Sequence, residues 1–134
     1  MKRFSIVLMV LLVPPFSASL APAAFDIPSH VYRIDQLQQA KDEAKADNKQ
    51  IVFLYSKEDT DCPLASKASI GIIQRFEQSS VIVYICKEVW ANIPRIVRGA
   101  INSPEAGKFI PIAVVVDSAI TKVVSIIPYE RTRK

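Results

Sequence analysis

The chain opens on an uncharged apolar run. Met1-Lys2-Arg3 leads into Phe4 to Phe16, whose centre is the continuous stretch Ile6 to Val13. Pro14-Pro15 stops any helix there, and Ser17 to Ala24 is rich in small residues. The run falls short of the roughly 20 apolar residues a spanning helix needs. A basic start, a short apolar centre and the small-x-small sequence Ala21-Pro22-Ala23 describe a secretory signal peptide over residues 1–24. The remainder, 25–134, is expected to be one exported domain, periplasmic or extracellular and free of the membrane once the leader is cleaved.

Beyond the leader the pattern alternates between helical and strand-like periods. A lead-in over 25–34 carries a short strand near His30 to Arg33. Leu37, Ala40 and Ala44 then recur at helical spacing, with Asp35 as the expected N-cap and Asp47-Asn48 as the end. Ile51 to Tyr55 is a continuous β-forming run, as in a strand buried on both faces. Ser56 to Asp61 is a polar loop. Cys62-Pro63 opens a second helix, since proline suits a first turn whose N–H groups have no partner. Its apolar stripe is Ala65, Ala68, Ile72 and Phe76, with Ile73 beside it. Val81 to Cys86 is a second buried strand. Residues 88–108, broken by Pro94, Gly99, Pro104 and Gly107, are expected to be irregular or weakly helical. Pro111 to Asp117 and Thr121 to Ile127 are two more strands, close enough to form a hairpin. Strands joined through a helix run parallel and hairpin strands antiparallel. The expected fold class is therefore α/β, a mixed central sheet with helices on its faces.

Charge and composition narrow the functions. Lysine and arginine number 17 against 13 acids. The leader and the tail residues Arg131, Arg133 and Lys134 hold that surplus, so the body is near neutral and nucleic acid is a poor partner. Half the residues are hydrophobic, which excludes a disordered chain. No serine–histidine–acid set, phosphate loop or metal spacing occurs, and no cofactor is implied. His30 and the pair Asp42-Glu43 fit solvated positions, and Trp90 fits packing. The candidate chemistry is that of two cysteines, Cys62 and Cys86. At a helix N-terminus a thiolate is favoured. Glu58, Asp59 and Asp61 oppose this and Lys57 and Lys67 offset it, so the net sign stays open. Three roles remain for Cys86: a core thiol, a structural bridge to Cys62, or a redox partner. A 62–86 bridge needs Cα atoms within about 7 Å and would close a loop of about 25 residues, worth roughly 3 kcal/mol.

This order of elements resembles the thioredoxin fold. The resemblance covers about residues 35 to 127 and rests on Cys62-Pro63-Leu64-Ala65 at a strand–loop–helix junction and on Ile110-Pro111 before the third core strand. It implies that Cys62 is the reactive thiol. It further implies that Pro111 follows a cis bond facing Cys62, and that Pro111, Ile110 and Pro63 flank an extended protein or peptide substrate bearing thiols or disulfides. Three departures stand beside it. Ala65 replaces the second cysteine of Cys-x-x-Cys, so Cys62 needs Cys86 or an external thiol to resolve a mixed disulfide. Asp61 replaces the usual tryptophan. After Pro128 there is no room for the closing helix, so the fold is expected to lack it. The resemblance thus leaves two functions: thiol–disulfide exchange through Cys62, or a redox-inactive peptide-binding or structural domain.

Overall fold

The computed structural model describes residues 26–58 and 60–130. The signal peptide expected over 1–24 lies outside these residues, as do Asp59 and the last four positions.

Among the described residues five strands form one sheet in the order β1-β3-β2-β4-β5. They are β1 (Tyr32–Arg33), β2 (Gln50–Tyr55), β3 (Ser80–Ile85), β4 (Ile112–Val116) and β5 (Val123–Ile127). β2 pairs with β3 in parallel, Ile51 opposite Val81 and Tyr55 opposite Ile85. It pairs with β4 antiparallel, Phe53 opposite Val114. β1 joins β3 in parallel, and β5 joins β4 as the antiparallel hairpin read from the sequence. Among the described residues three α-helices cover the sheet: α1 (Leu37–Ala46), α2 (Pro63–Phe76) and α3 (Arg95–Ile101).

The alternation of side chains along the strands divides the core in two. Ile51, Phe53, Val83, Ile85 and Val114 point to the face covered by α1 and α3. Val52, Leu54, Ile82, Tyr84, Ala113 and Val115 point to the face that carries α2 and Val31. Residues 51 to 54 are fully enclosed, which explains their unbroken apolar run. α1 presents only Ala40 and Ala44 to the sheet, both without exposed surface, so its backbone packs close to the strands. The result is a three-layer, mixed-sheet α/β structure with the thioredoxin-like strand order.

Several boundaries differ from expectation for local reasons. A short 3-10 turn over Ile34–Gln36 precedes α1, and Asp35 lies within it rather than capping. The side chain of Gln36 instead accepts the N–H of Arg33 at 3.1 Å. α1 ends at Ala46, and two residues on Asn48 takes the left-handed φ of 52° that asparagine tolerates. Glu43 is not merely solvated, because it accepts a hydrogen bond from the Tyr32 hydroxyl. α3 occupies part of the segment expected to be irregular or weakly helical. The Pro94 carbonyl accepts the N–H groups of Val97 and Arg98 to start it, and Val97 and Ile101 bury its inner face. β3 ends at Ile85, leaving Cys86 one residue beyond it. The inward positions of α2 are Ala65, Ser69 and Ile73, with Ile72 and Phe76 alongside; the polar Ser69 takes a place that an apolar stripe would not include.

Candidate functional site

Cys62 sits where strand and helix signals meet. It is the N-cap of α2, with extended φ and ψ of −89° and 107°, and Pro63 fills the first helical position. Its carbonyl accepts the N–H of Ser66 at 3.1 Å, the first helical hydrogen bond. Its own N–H is held by Thr60 Oγ1 at 3.2 Å. No side chain caps the helix, so the first-turn amides beside the sulfur have no side-chain acceptor. The thiol is exposed.

The groove beside it has a volume of about 300 Å³ and is lined by Thr60, Cys62, Leu64, Ala65, Lys108, Phe109, Ile110 and Tyr129. Its walls come from α2 on one side and from the segment entering β4 on the other. Leu64 and Phe109 are 57% and 59% exposed, although both are large apolar side chains. Two such residues flanking a thiol form a surface suited to apolar side chains of a peptide.

The five expected site residues separate. Cys62 and Ile110 share the groove. The Ile110–Pro111 bond is cis, but Pro111 itself is fully buried, so Ile110 rather than Pro111 presents the surface. Pro63 is exposed at the helix start and does not line the groove. Cys86 lines a different cavity, of about 220 Å³, with Arg33, Ile34, Asp35, Tyr84, Val89 and Asn92. β3 has β1 on one side and β2 on the other, and the Cys86 cavity opens on the β1 side while the Cys62 groove opens towards β4. Both sulfurs are unpaired.

The environment of Cys86 is that of a quiet thiol. Burial pushes its pKa up, and its hydrogen bond to Glu88 pushes the same way. Glu88 is correspondingly held below the usual carboxylate range, first by that hydrogen bond. The carboxylate of Glu58, in the loop before Cys62, is held by Arg33. Arg33 grips it through two guanidinium nitrogens at 2.9 and 3.4 Å, while lying over the Tyr84 ring at 5.9 Å. Trp90 packs edge-on against Tyr55 with ring centres 5.9 Å apart, a packing role. His30 is exposed and 3.0 Å from Glu77. Among the described residues no cluster of three histidine, cysteine or acidic groups is placed to hold a metal, and no helix is long and apolar enough to cross a membrane.

Sequence reasoning missed Phe109, Leu64, Lys108 and Tyr129. Only their adjacency to Pro111, to Cys62 and to the end of β5 signalled them, and adjacency becomes a groove only once β4 lies beside β2.

No family model and no curated protein matches the chain. Among solved structures it is similar to one described as DsbH Oxidoreductase, at 16% identity over 90% of this chain and 81% of that one, with a TM-score of 0.44.

Proposed function

We propose that this chain is an exported thioredoxin-like protein that exchanges thiols and disulfides of peptides or proteins through Cys62 alone. The observation that carries this reading is an exposed cysteine at the uncapped N-terminus of α2, set in a groove whose far wall is Phe109-Ile110. The Cys62 thiolate attacks a substrate disulfide. A bond forms between Sγ and one substrate sulfur, and the other substrate sulfur leaves as a thiolate. Ala65 cannot release the adduct. An external low-molecular-weight thiolate attacks the substrate sulfur of the mixed disulfide, forms a new disulfide with it and frees Cys62. Cys86, turned towards another cavity, takes no part.

The test is turnover of a disulfide-bonded peptide with an added monothiol as reductant. Cys62→Ser abolishes turnover and Cys86→Ser retains it. Retained turnover in Cys62→Ser overturns the assignment.

A second reading is favoured by the exposed Leu64 and Phe109 together with the absent second thiol: a groove that holds peptides without reacting. It predicts that peptide binding survives Cys62→Ser with unchanged affinity, and that no mixed disulfide forms in the unsubstituted protein.

A further inference from the structure

The N-terminal half of α2 is short of apolar anchors. Leu64 points outward, and the inward positions are the small residues Ala65 and Ser69; the larger Ile72, Ile73 and Phe76 all lie in the second half. Yet this is the half that carries Cys62. What it has instead is a buried hydroxyl pair. Ser56 Oγ and Ser69 Oγ lie 2.8 Å apart, with the two residues 3% and 0% exposed.

The direction of that hydrogen bond follows from proton counting. Ser69 has one hydroxyl proton and donates it to the Ala65 carbonyl at 2.9 Å. The proton between the two serines therefore belongs to Ser56, which donates to Ser69. Ser56 is itself clamped to β3. Its N–H donates to the Ile85 carbonyl at 3.1 Å, and its carbonyl accepts the Tyr84 hydroxyl at 3.3 Å. A directional chain thus runs from β3 through Ser56 and Ser69 to the carbonyl of Ala65, three residues from Cys62.

We infer that Ser56 and Ser69 are positioning residues that fix the first turns of α2 against the sheet and so set where the Cys62 thiol stands in its groove. The inference rests on the Cys62 reading above for its functional meaning, but its structural half stands apart. The hydrogen-bond direction makes the two serines unequal. Ser56→Ala removes a donor, and Ser69 keeps its own acceptor. Ser69→Ala leaves the Ser56 hydroxyl buried with no acceptor, which costs more. Removing both hydroxyls takes away the unsatisfied group, but not the need for the tie.

The experiment measures thermal midpoints and the rate of Cys62 alkylation by iodoacetamide, all in a Cys86→Ser background. Ser69→Ala lowers the midpoint by roughly 5–10 °C and Ser56→Ala by less than half of that; the double variant recovers above Ser69→Ala. Cys62 alkylation slows about threefold in Ser69→Ala and stays slowed in the double variant, a loss the size of one helix-terminus interaction. Stability that recovers while reactivity does not is the mark of positioning rather than of packing. Equal losses in the two single variants overturn the hydrogen-bond direction. A wild-type alkylation rate in the double variant, which remains readable even if Ser69→Ala fails to fold, overturns the positioning role. Should Cys62 instead prove inert in the unsubstituted protein, the functional reading fails while the inequality of the serines is still read from the midpoints.

Discussion

At the scale of single residues, the two cysteines divide by environment rather than by sequence context. Cys62 is exposed and Cys86 is half-buried, with burial first and then the hydrogen bond to Glu88 raising its pKa. In the native protein at neutral pH, iodoacetamide should modify Cys62 first, and Cys86 labelling should rise only as pH climbs above the ordinary thiol range of about 8.5; quantitative peptide mapping over a pH series checks the order. The sign for stability follows. The folded pKa of Cys86 lies above the unfolded one, so its contribution is full below the unfolded value and is lost as pH rises through the folded value. The groove residues carry a second prediction. Leu64→Ala combined with Phe109→Ala should slow exchange with a peptide disulfide about tenfold, the scale of partly burying two apolar side chains. Iodoacetamide has no side chains to seat and should react with that variant at nearly the unsubstituted rate; competition kinetics separate the two. The place of Cys62 at a strand–loop–helix junction was legible because a strand, a loop and a proline at a helix start are local signals, whereas Ile110 entered only through the resemblance. The separation of Cys86 was not legible, because the spacing of 62 and 86 says nothing about which cavity the residue after β3 turns towards.

At the scale of elements, the β4–β5 hairpin shows how a polar turn holds two apolar strands in register. The Asp117 carboxylate accepts hydrogen bonds from the Thr121 N–H (2.7 Å), the Lys122 N–H (2.8 Å) and the Thr121 hydroxyl (2.6 Å). These bonds lock a turn in which Ile120 adopts a φ of 58°, a conformation that disfavours a β-branched residue. They also hold the Asp117 carboxyl below its usual range, the Thr121 hydroxyl first among the causes. Because the folded pKa is depressed, the stabilisation is present above the unfolded value and disappears as pH falls through the folded one. Asp117→Ala should therefore lower the melting midpoint at pH 7, and the gap to the unsubstituted protein should close as pH falls below about 4; a gap that does not change with pH would contradict the role given to the carboxylate. The hairpin was legible from two β-forming runs around a short polar break. α3 was legible only as weak helicity, since Pro94 and Gly99 read as punctuation, whereas Pro94 opens the helix and Gly99 faces solvent. Ser69 was missed for a related reason: its burial depends on the partner Ser56, which sits on another element.

At the scale of the whole molecule, the site is the meeting of α2 with the segment that enters β4, and both depend on the sheet beneath them. β2 is the central strand, paired on both edges and covered on both faces. Phe53, with no exposed surface, anchors the α1/α3 face, and Phe53→Ala should cost about 3–5 kcal/mol in denaturant unfolding. The α/β class and the strand sequence were legible because hydrophobic runs and breaks repeat along the chain. The sheet order, which puts Ile110 across from Cys62 and Cys86 beyond β3, is a long-range property that local patterns do not carry. The most direct measurement of whether Cys62 is the thiol that meets substrate incubates the native protein with a disulfide-bonded peptide, quenches in acid, and reads intact mass followed by peptide mapping. The prediction is one peptide adduct per chain, attached at Cys62, released by an added monothiol and leaving Cys86 unmodified. An adduct at Cys86, or no adduct while Cys62 remains free, would contradict it.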